Sequence, residues 1–119
     1  MAPRSESLSF RVPSPLRQAI KKCAEKEGKS QSDFLMDAVT SLVDRVEQHP
    51  DLILGEDYRI SKDDPRMMAI RVPPEFVDFV KEKAPRMYQR VTPLLLWAAQ
   101  VRINEIAAAY EEYKKKKQT

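Results

Sequence analysis

The chain has 119 residues, enough for one ordinary domain, and 42% of them are hydrophobic while 33% are charged. That composition is typical of a small helix-rich protein, and the presence of only two glycines argues against a sheet-rich fold with many tight turns. The formal net charge of +3 is uneven, because residues 1–60 carry nine Lys/Arg against ten Asp/Glu whereas residues 61–119 carry twelve against eight. This weak basic excess permits a nucleic-acid partner but does not by itself argue for one.

The residue content gives little support for an enzyme, a metal site or a membrane span. His49 is the only histidine, and neither a Cys/His cluster, a Gly-rich phosphate loop nor a Ser/His/Asp set accompanies it. The single cysteine, Cys23, suits a reducing compartment, and its place on the apolar side of a predicted helix indicates a small core residue. The sequence has no run of about 18 apolar residues and no signal-peptide core. We therefore expect a cytoplasmic protein that is not an enzyme and has no membrane partner, metal or cofactor.

The first predicted element is a short strand. Residues 1–6 are expected to form a flexible arm, and the strand follows at about 7–12. In the hexapeptide LSFRVP, the apolar residues Leu8, Phe10 and Val12 alternate with polar ones. This period of two is the signature of a half-buried strand, because successive side chains point to opposite faces.

Two helices are predicted after this strand. Apolar residues recur at helical spacing from Leu16, and Gly28 ends this helix because glycine takes the left-handed conformation at little cost. Ser30 and Asp33 then have the spacing of a capping box, and a stronger apolar stripe defines the second helix. The first unit therefore covers residues 7–47.

A second strand of the same design follows a connector. Residues 48–66 hold prolines, a glycine and a charged cluster that interrupt any long element, although Leu52-Ile53-Leu54 is apolar enough to pack on the core. The hexapeptide MAIRVP, which starts at Met68, alternates in the same way as LSFRVP and predicts a strand at about 67–72. Each strand ends in a proline and is followed by an apolar pattern of helical period.

Two further helices complete the second unit, residues 67–113. The first should end or kink near Pro85, because proline removes a helical hydrogen bond. The second is predicted to start with Thr92 as its cap and a proline at its first helical position, and its pattern continues to the end of the unit. Residues 114–119 are predicted to be a basic tail.

The two units align without a gap at an offset of sixty residues. Between residues 8–47 and 68–107 seven positions are identical, and the order of strand, proline, helix, turn and helix is the same. One short strand is not stable alone, whereas two in one chain can pair with each other. We therefore predict a mainly helical fold in which two units form an intramolecular pseudo-dimer around a two-stranded ribbon.

This order, with RVP closing the strand and a GKS turn between the helices, resembles the ribbon-helix-helix family of the Arc, MetJ and CopG superfamily. The resemblance covers residues 7–46 well and residues 67–110 more loosely. It implies that the two strands are antiparallel and that the ribbon binds DNA. Members are normally dimers, so the presence of both halves on one chain is similar to the tandem arrangement of TraY-type conjugation proteins.

The alternation of the strands also defines an outer face that a DNA groove could accept. A two-stranded ribbon fits the major groove of B-DNA, where arginine pairs with guanine and serine hydrogen-bonds to either kind of base edge. Because Met67 and Ala69 can make only apolar contacts, for example with a thymine methyl group, we expect the first strand to make more of the hydrogen bonds. The candidate base-reading residues are Ser7, Ser9, Arg11, Met67, Ala69 and Arg71.

The start of each second helix is a candidate site for a DNA phosphate, because unpaired N–H groups and the positive end of the helix dipole favour an anion. The second unit departs from the family pattern, since Tyr88 and Arg90 stand where the first has Gly28 and Ser30. Arg90 could replace a backbone contact with a charge, or this half could have lost phosphate binding. The candidate phosphate-binding residues are Ser30, Gln31, Ser32, Arg90, Val91 and Thr92.

The predicted function is sequence-specific binding of double-stranded DNA. The resemblance implies either a transcriptional repressor or an accessory factor in the relaxosome at a plasmid transfer origin, with several copies bound side by side. The alternative is a protein-interaction module, antitoxin-like or a scaffold, with little direct DNA reading. The near-neutral first half and an apolar patch on the last helix favour that alternative, and the same helix could mediate self-association or contact a protein partner.

Overall fold

The element order of the first half returns in the second half. The computed structural model describes residues 5–55 and 65–117. Its elements are β1 (Glu6–Pro13), α1 (Ser14–Glu27), α2 (Gln31–Gln48), a 3-10 turn (Pro50–Leu52), β2 (Pro65–Val72), α3 (Pro74–Arg86) and α4 (Val91–Lys117). The prediction of a mainly helical chain with a two-stranded antiparallel sheet is confirmed.

The two strands pair over their full length, and Ser9 lies opposite Ala69 at the centre of the ribbon. These two residues are sixty positions apart, so the register is symmetric about them. The predicted alternation is observed over residues 7–12 and 67–72, where every second side chain packs into the core and the intervening ones face outward. The core-facing side chains are Leu8, which is half-buried, and Phe10, Val12, Met68, Ile70 and Val72, which are buried.

The turn between α1 and α2 is built as predicted around Gly28. This residue has φ +68° and ψ +30°, in the left-handed region that glycine adopts without a steric cost. The N–H of Gly28 donates to the carbonyl of Glu25 at 3.1 Å, and the N–H of Lys29 donates to the carbonyl of Ala24 at 2.9 Å. Together these bonds satisfy carbonyls at the end of α1 that no later helical turn could reach.

The turn between α3 and α4 has the same backbone hydrogen bonds without a glycine. The N–H of Tyr88 donates to Pro85 at 3.1 Å, and the N–H of Gln89 donates to Ala84 at 2.9 Å. Tyr88 has φ +55° and is the one non-glycine residue with positive φ among those described. A bulky residue in this conformation costs about 1–2 kcal/mol, because its Cβ approaches a carbonyl oxygen.

Of two predictions about the second pair of helices, the end near Pro85 is confirmed and the cap at Thr92 is not. Helix α3 ends at Arg86, one residue after Pro85, so the missing N–H removes a bond only in the last turn. Helix α4 starts at Val91, which places Thr92 in its first turn. The prediction that Thr92 caps the helix is therefore wrong, and Arg90 precedes the first helical residue instead.

The four helices enclose one continuous core against the inner face of the ribbon. The largest fully buried side chains come from all four helices. They include Ile20, Phe34, Leu35 and Val80. Helix α2 packs along α4, and each of these helices also contacts the strand of the other half, α2 with β2 and α4 with β1. The hydrophobic core is therefore shared between the halves.

Positions sixty residues apart also meet where α2 packs on α4. Arg45 Nη1 lies 2.6 Å from Glu105 Oε1 and donates a hydrogen bond to it. Ala38 and Ala98, which differ by the same offset, line the same narrow gap between the two helices. The hydrogen bond to Glu105 raises the pKa of Arg45 above its ordinary value.

The ends of the elements differ from the sequence-based boundaries. Helix α4 continues to Lys117, so Lys114–Lys117 are helical and not a separate tail. Glu6 already belongs to β1, although it was predicted to lie in the arm. In the connector, Ile53 packs on the core while Leu52 and Leu54 are exposed. The rest of the predicted arm, connector and tail, residues 1–4, 56–64 and 118–119, lies outside the described residues.

Within residues 5–55 and 65–117, no helix has the length and apolarity needed to cross a membrane. The same residues contain no group of three or more His, Cys, Asp or Glu side chains that could hold a metal ion.

Cys23 is half-buried against the core, and burial raises the pKa of its thiol above its ordinary value.

Candidate nucleic-acid interface

The outer face of the ribbon presents six exposed side chains in three cross-strand pairs. Ser9 and Ala69 form the central pair, and the six residues together are those predicted to read bases. Ser7 lies opposite Arg71 and Arg11 lies opposite Met67, which is 60% exposed. The two arginines therefore stand at opposite ends of the ribbon and on different strands.

The spacing of these arginines is set by the register. Arg11 and Arg71 lie in rows four residues apart, and a strand advances about 3.4 Å per residue, so the rows are about 14 Å apart. Successive bases of one DNA strand are about 3.4 Å apart along the axis, so this distance corresponds to roughly four base pairs. The geometry would place one guanidinium near each end of a short stretch of the groove.

The ribbon arginines have no carboxylate partner among the described residues, whereas several cations on the helices do. Neither Arg11 nor Arg71 forms an ion pair among the residues that the structure describes. On the helical side, by contrast, Arg102 lies 3.0 Å from Glu27, and other cations are paired as well. These paired cations are Lys29 with Asp37, Arg45 with Glu105, Lys83 with Glu47 and Arg86 with Glu82. Guanidinium groups at the ribbon are thus available to an external acceptor.

At the start of α2, Ser30 acts as the predicted helix cap. Its hydroxyl oxygen accepts a hydrogen bond of 3.0 Å from the N–H of Asp33, and its carbonyl accepts one of 2.9 Å from the N–H of Phe34. The N–H groups of Gln31 and Ser32 come before the first of these bonds, so the helix offers them no acceptor. These two donors are the ones that a phosphate could use, while Asp33 places a negative charge in the same turn.

Ser32 has a second role that sequence analysis missed. Its hydroxyl oxygen accepts a hydrogen bond of 3.2 Å from the backbone N–H of Arg71, on the outer edge of β2. An edge strand leaves such N–H groups unpaired, so this contact satisfies one and joins the start of α2 to the ribbon. The hydroxyl hydrogen of Ser32 is still available for donation to a ligand.

The start of α4 also has backbone N–H groups ahead of its first helical bond, although its residues differ from those of α2. Pro93 takes the position of Asp33, and because proline has no N–H, this turn does not need the capping oxygen that Ser30 provides in the first half. The N–H of Leu94 donates to the carbonyl of Arg90 at 3.1 Å, which leaves the N–H groups of Val91 and Thr92 ahead of the first helical bond. No acidic residue lies in this first turn.

Another exposed surface lies at the far end of α4. Tyr110 and Tyr113 are 49% and 56% exposed. The ammonium group of Lys114 lies 4.8 Å from the centre of the Tyr110 ring, and that of Lys26, from α1, lies 5.1 Å from the same centre. Trp97 of the same helix is buried in the core.

In comparisons with known proteins, the chain matches no family model, no curated protein and no solved structure at a significant level.

Proposed function

We propose that this chain binds double-stranded DNA sequence-specifically, with the ribbon inserted in the major groove. The observation that carries the proposal is the outer face of the ribbon, where six exposed side chains include two arginines without a carboxylate partner among the described residues. A ribbon of this width enters the major groove, and a guanidinium group pairs there with O6 and N7 of guanine.

The proposal includes two ribbon-helix-helix units that form an intramolecular pseudo-dimer. Three relationships at the sixty-residue offset support it. Ser9 faces Ala69 at the centre of the ribbon, and Arg45 pairs with Glu105 where the second helices pack. The third relationship is the turn after each first helix, which has a left-handed residue at equivalent positions with the same hydrogen-bond pattern.

The two halves of the ribbon would make different contacts with bases. Ser7, Ser9 and Arg11 offer hydroxyl and guanidinium groups, while Met67 and Ala69 offer only apolar surface. Cross-strand pairing puts Arg11 beside Met67, so guanine and a thymine methyl group are the expected neighbours at that end. The expected target is therefore an imperfect inverted repeat.

Phosphates on either side of the site would be held at the starts of α2 and α4. Each start has two backbone N–H groups ahead of its first helical bond, at Gln31 and Ser32 and at Val91 and Thr92. The bond from Arg71 to Ser32 supports this role for α2, because it fixes the helix start at the edge of the strand that would enter the groove. The proposed biological roles are transcriptional repression or accessory binding at a plasmid transfer origin.

A selection of bound duplexes from a random pool, followed by gel shifts with the selected sequence, tests this function. Arg11→Ala and Arg71→Ala should each lower the preference for the selected duplex by about tenfold, because a bidentate arginine–guanine pair contributes about 1–3 kcal/mol of discrimination. Arg86→Ala is the matched control, since Arg86 is exposed on α3 and pairs only with Glu82. Undiminished preference in the double ribbon variant would eliminate the ribbon as the reader.

The second candidate function is a protein-interaction module, in which the end of α4 binds a partner or another copy of the chain. It is favoured by the exposed tyrosines of that helix, Tyr110 and Tyr113. This candidate predicts that the selection yields no preferred sequence, and that Tyr110→Ala with Tyr113→Ala abolishes association measured by analytical ultracentrifugation. The double tyrosine substitution should leave DNA binding by the ribbon unchanged if the first candidate is correct.

A further inference from the structure

A polar cleft of about 320 Å³ lies between the first two helices, on the side of the chain where α2 meets the ribbon. Arg17, Gln18 and Lys21 of α1 line it on one side, and Gln31 at the start of α2 lines it on the other. Arg17 and Lys21 are four residues apart, so they lie one helical turn apart on the same face of α1. Among the described residues, no acidic side chain lines the cleft.

The two cations that line this cleft have no ion-pair or hydrogen-bond partner among the described residues. Arg17 and Lys21 are exposed, and neither forms an ion pair or a hydrogen bond within residues 5–55 and 65–117. Arg102, by contrast, lies 3.0 Å from Glu27. Two unpaired cations beside a neutral amide instead make a site for an anion with several oxygen acceptors.

The position of the cleft connects it with the ribbon. Gln31 is followed by Ser32, whose hydroxyl oxygen accepts the hydrogen bond from Arg71. The cleft therefore lies beside the edge of β2, at the end of the ribbon that carries Ser7 and Arg71. An elongated anion that follows the ribbon on this side would reach Arg17 and Lys21 after it passes the start of α2.

The residues that line this cleft are mostly different at the equivalent positions of the second half. At the offset of sixty, Arg17 is replaced by Val77, which is buried, and Gln18 is replaced by Asp78. Lys21 is matched by Lys81, and Gln31 is matched by the half-buried Val91. The four lining residues of the first half thus carry two positive charges, whereas their equivalents carry one positive and one negative charge and have no net charge.

We propose that Arg17 and Lys21 bind a backbone phosphate of duplex DNA next to the sequence in the ribbon, on the Arg71 side alone. The inference rests on the proposed DNA-binding function and adds a contact from α1 that has no counterpart on α3. Arg17 would hold two phosphate oxygens with its planar fork, and Lys21 would add a point charge. Contacts with the backbone would then extend farther on one side of the recognition site than on the other.

The test measures DNA affinity as a function of salt for Arg17→Ala/Lys21→Ala. The slope of log K against log salt concentration should become shallower by about 1, since one phosphate is no longer neutralised, and affinity should fall equally for selected and random duplexes. The controls are Lys22→Ala, which changes an exposed residue of α1 outside the cleft, and Lys81→Ala, the equivalent of Lys21. All four positions are exposed, so thermal unfolding should show unchanged folds.

Ethylation of DNA phosphates locates the contact. Wild-type protein should be sensitive to ethylation of at least one phosphate beyond the guanine contacted by Arg71, and the double variant should lose that sensitivity while it keeps the others. If wild-type protein binds the selected duplex and the double variant matches Lys22→Ala in slope and ethylation pattern, the cleft proposal is wrong and the DNA-binding function stands. If wild-type protein binds no duplex, both are wrong.

Discussion

Arg45 and Glu105 occupy equivalent positions in the two halves and form an ion pair with a separation of 2.6 Å. In a symmetric dimer of identical units, equivalent positions in contact across the two-fold axis would carry the same charge and repel each other. Here the two positions carry opposite charges. The pair therefore favours contact of α2 with α4 over contact of α2 with the α2 of a second copy.

Charge reversal at this contact should cost stability. Glu105→Arg places a guanidinium against Arg45 and should lower the free energy of unfolding by about 1 kcal/mol more than Glu105→Ala, because both side chains are partly exposed and solvent screens them. Arg45→Glu in the same chain should recover part of the loss. Urea unfolding at low and at 1 M salt measures this, and the difference should shrink at high salt. Equal stability of the two Glu105 variants at low salt would contradict the assignment.

The bond between Ser32 and Arg71 predicts a difference between equivalent hydroxyl residues. Ser32→Ala should lower the free energy of unfolding by about 1 kcal/mol, because the edge N–H of Arg71 loses its acceptor. Thr92 is the equivalent residue in α4, and no such bond involves it in the described part of the chain. Thr92→Ala should therefore cost less. Equal losses in chemical denaturation would show that the Ser32 bond adds nothing to stability.

The left-handed residues of the two interhelical turns predict that glycine is favoured at both positions. Tyr88→Gly should raise the free energy of unfolding by up to about 1 kcal/mol, because relief of the left-handed strain exceeds the added entropy of the unfolded chain. Gly28→Ala should lower it by about 1 kcal/mol, since alanine brings that strain into the first turn. Nothing lies within 4 Å of a Cβ added at Gly28, so a clash would not confuse the result. A loss of stability in Tyr88→Gly would show that its side chain contributes more than the strain costs.

The core and the site were predictable from the sequence to different extents. Period-two alternation identified the inward face of each strand, because a strand that packs on one side needs apolar residues at every second position. The register could not follow from composition, but the offset of sixty between LSFRVP and MAIRVP is consistent with Ser9 opposite Ala69. The Thr-Pro pair at Thr92 fits a helix start and predicts a cap there, although alignment with Ser30 points to Arg90.

Contacts between distant residues were beyond sequence reasoning. The bond from Arg71 to Ser32 depends on how close α2 comes to the edge of β2, and no local pattern records that distance. The cleft between Arg17 and Gln31 was missed for the same reason, since polar residues on the outer side of α1 suggest only a solvated face. The left-handed conformation of Tyr88 could be inferred only from its alignment with Gly28.

The half-buried thiol of Cys23 should react slowly. Burial raises its pKa, so the thiolate fraction near neutral pH is small, and alkylation should accelerate as pH rises through and beyond the ordinary thiol range. Mass spectrometry after iodoacetamide treatment, with the urea-unfolded chain as the control, measures the difference in rate. Equal rates for the folded and the unfolded chain at pH 8 would contradict the burial of this side chain.

Truncation before Tyr110 should leave the fold intact. Every side chain from Ala107 to Lys117 is exposed, so removal of residues 110–119 deletes little packing beyond the contact of Lys26 with the Tyr110 ring. That contact contributes about 0.5–1 kcal/mol at an exposed site, and the stability loss should not exceed it by much. Thermal unfolding followed by circular dichroism measures the change. A loss of several kcal/mol would mean that the end of α4 supports the core.

Because β1 and β2 pair within one polypeptide, the ribbon should form independently of the protein concentration. A ribbon built from two separate chains dissociates when the protein concentration falls below the dimer dissociation constant, whereas strands joined by the backbone keep a constant effective concentration for each other. The midpoint of unfolding should therefore not depend on the amount of protein. Each folded chain would therefore have a complete ribbon, however low the protein concentration.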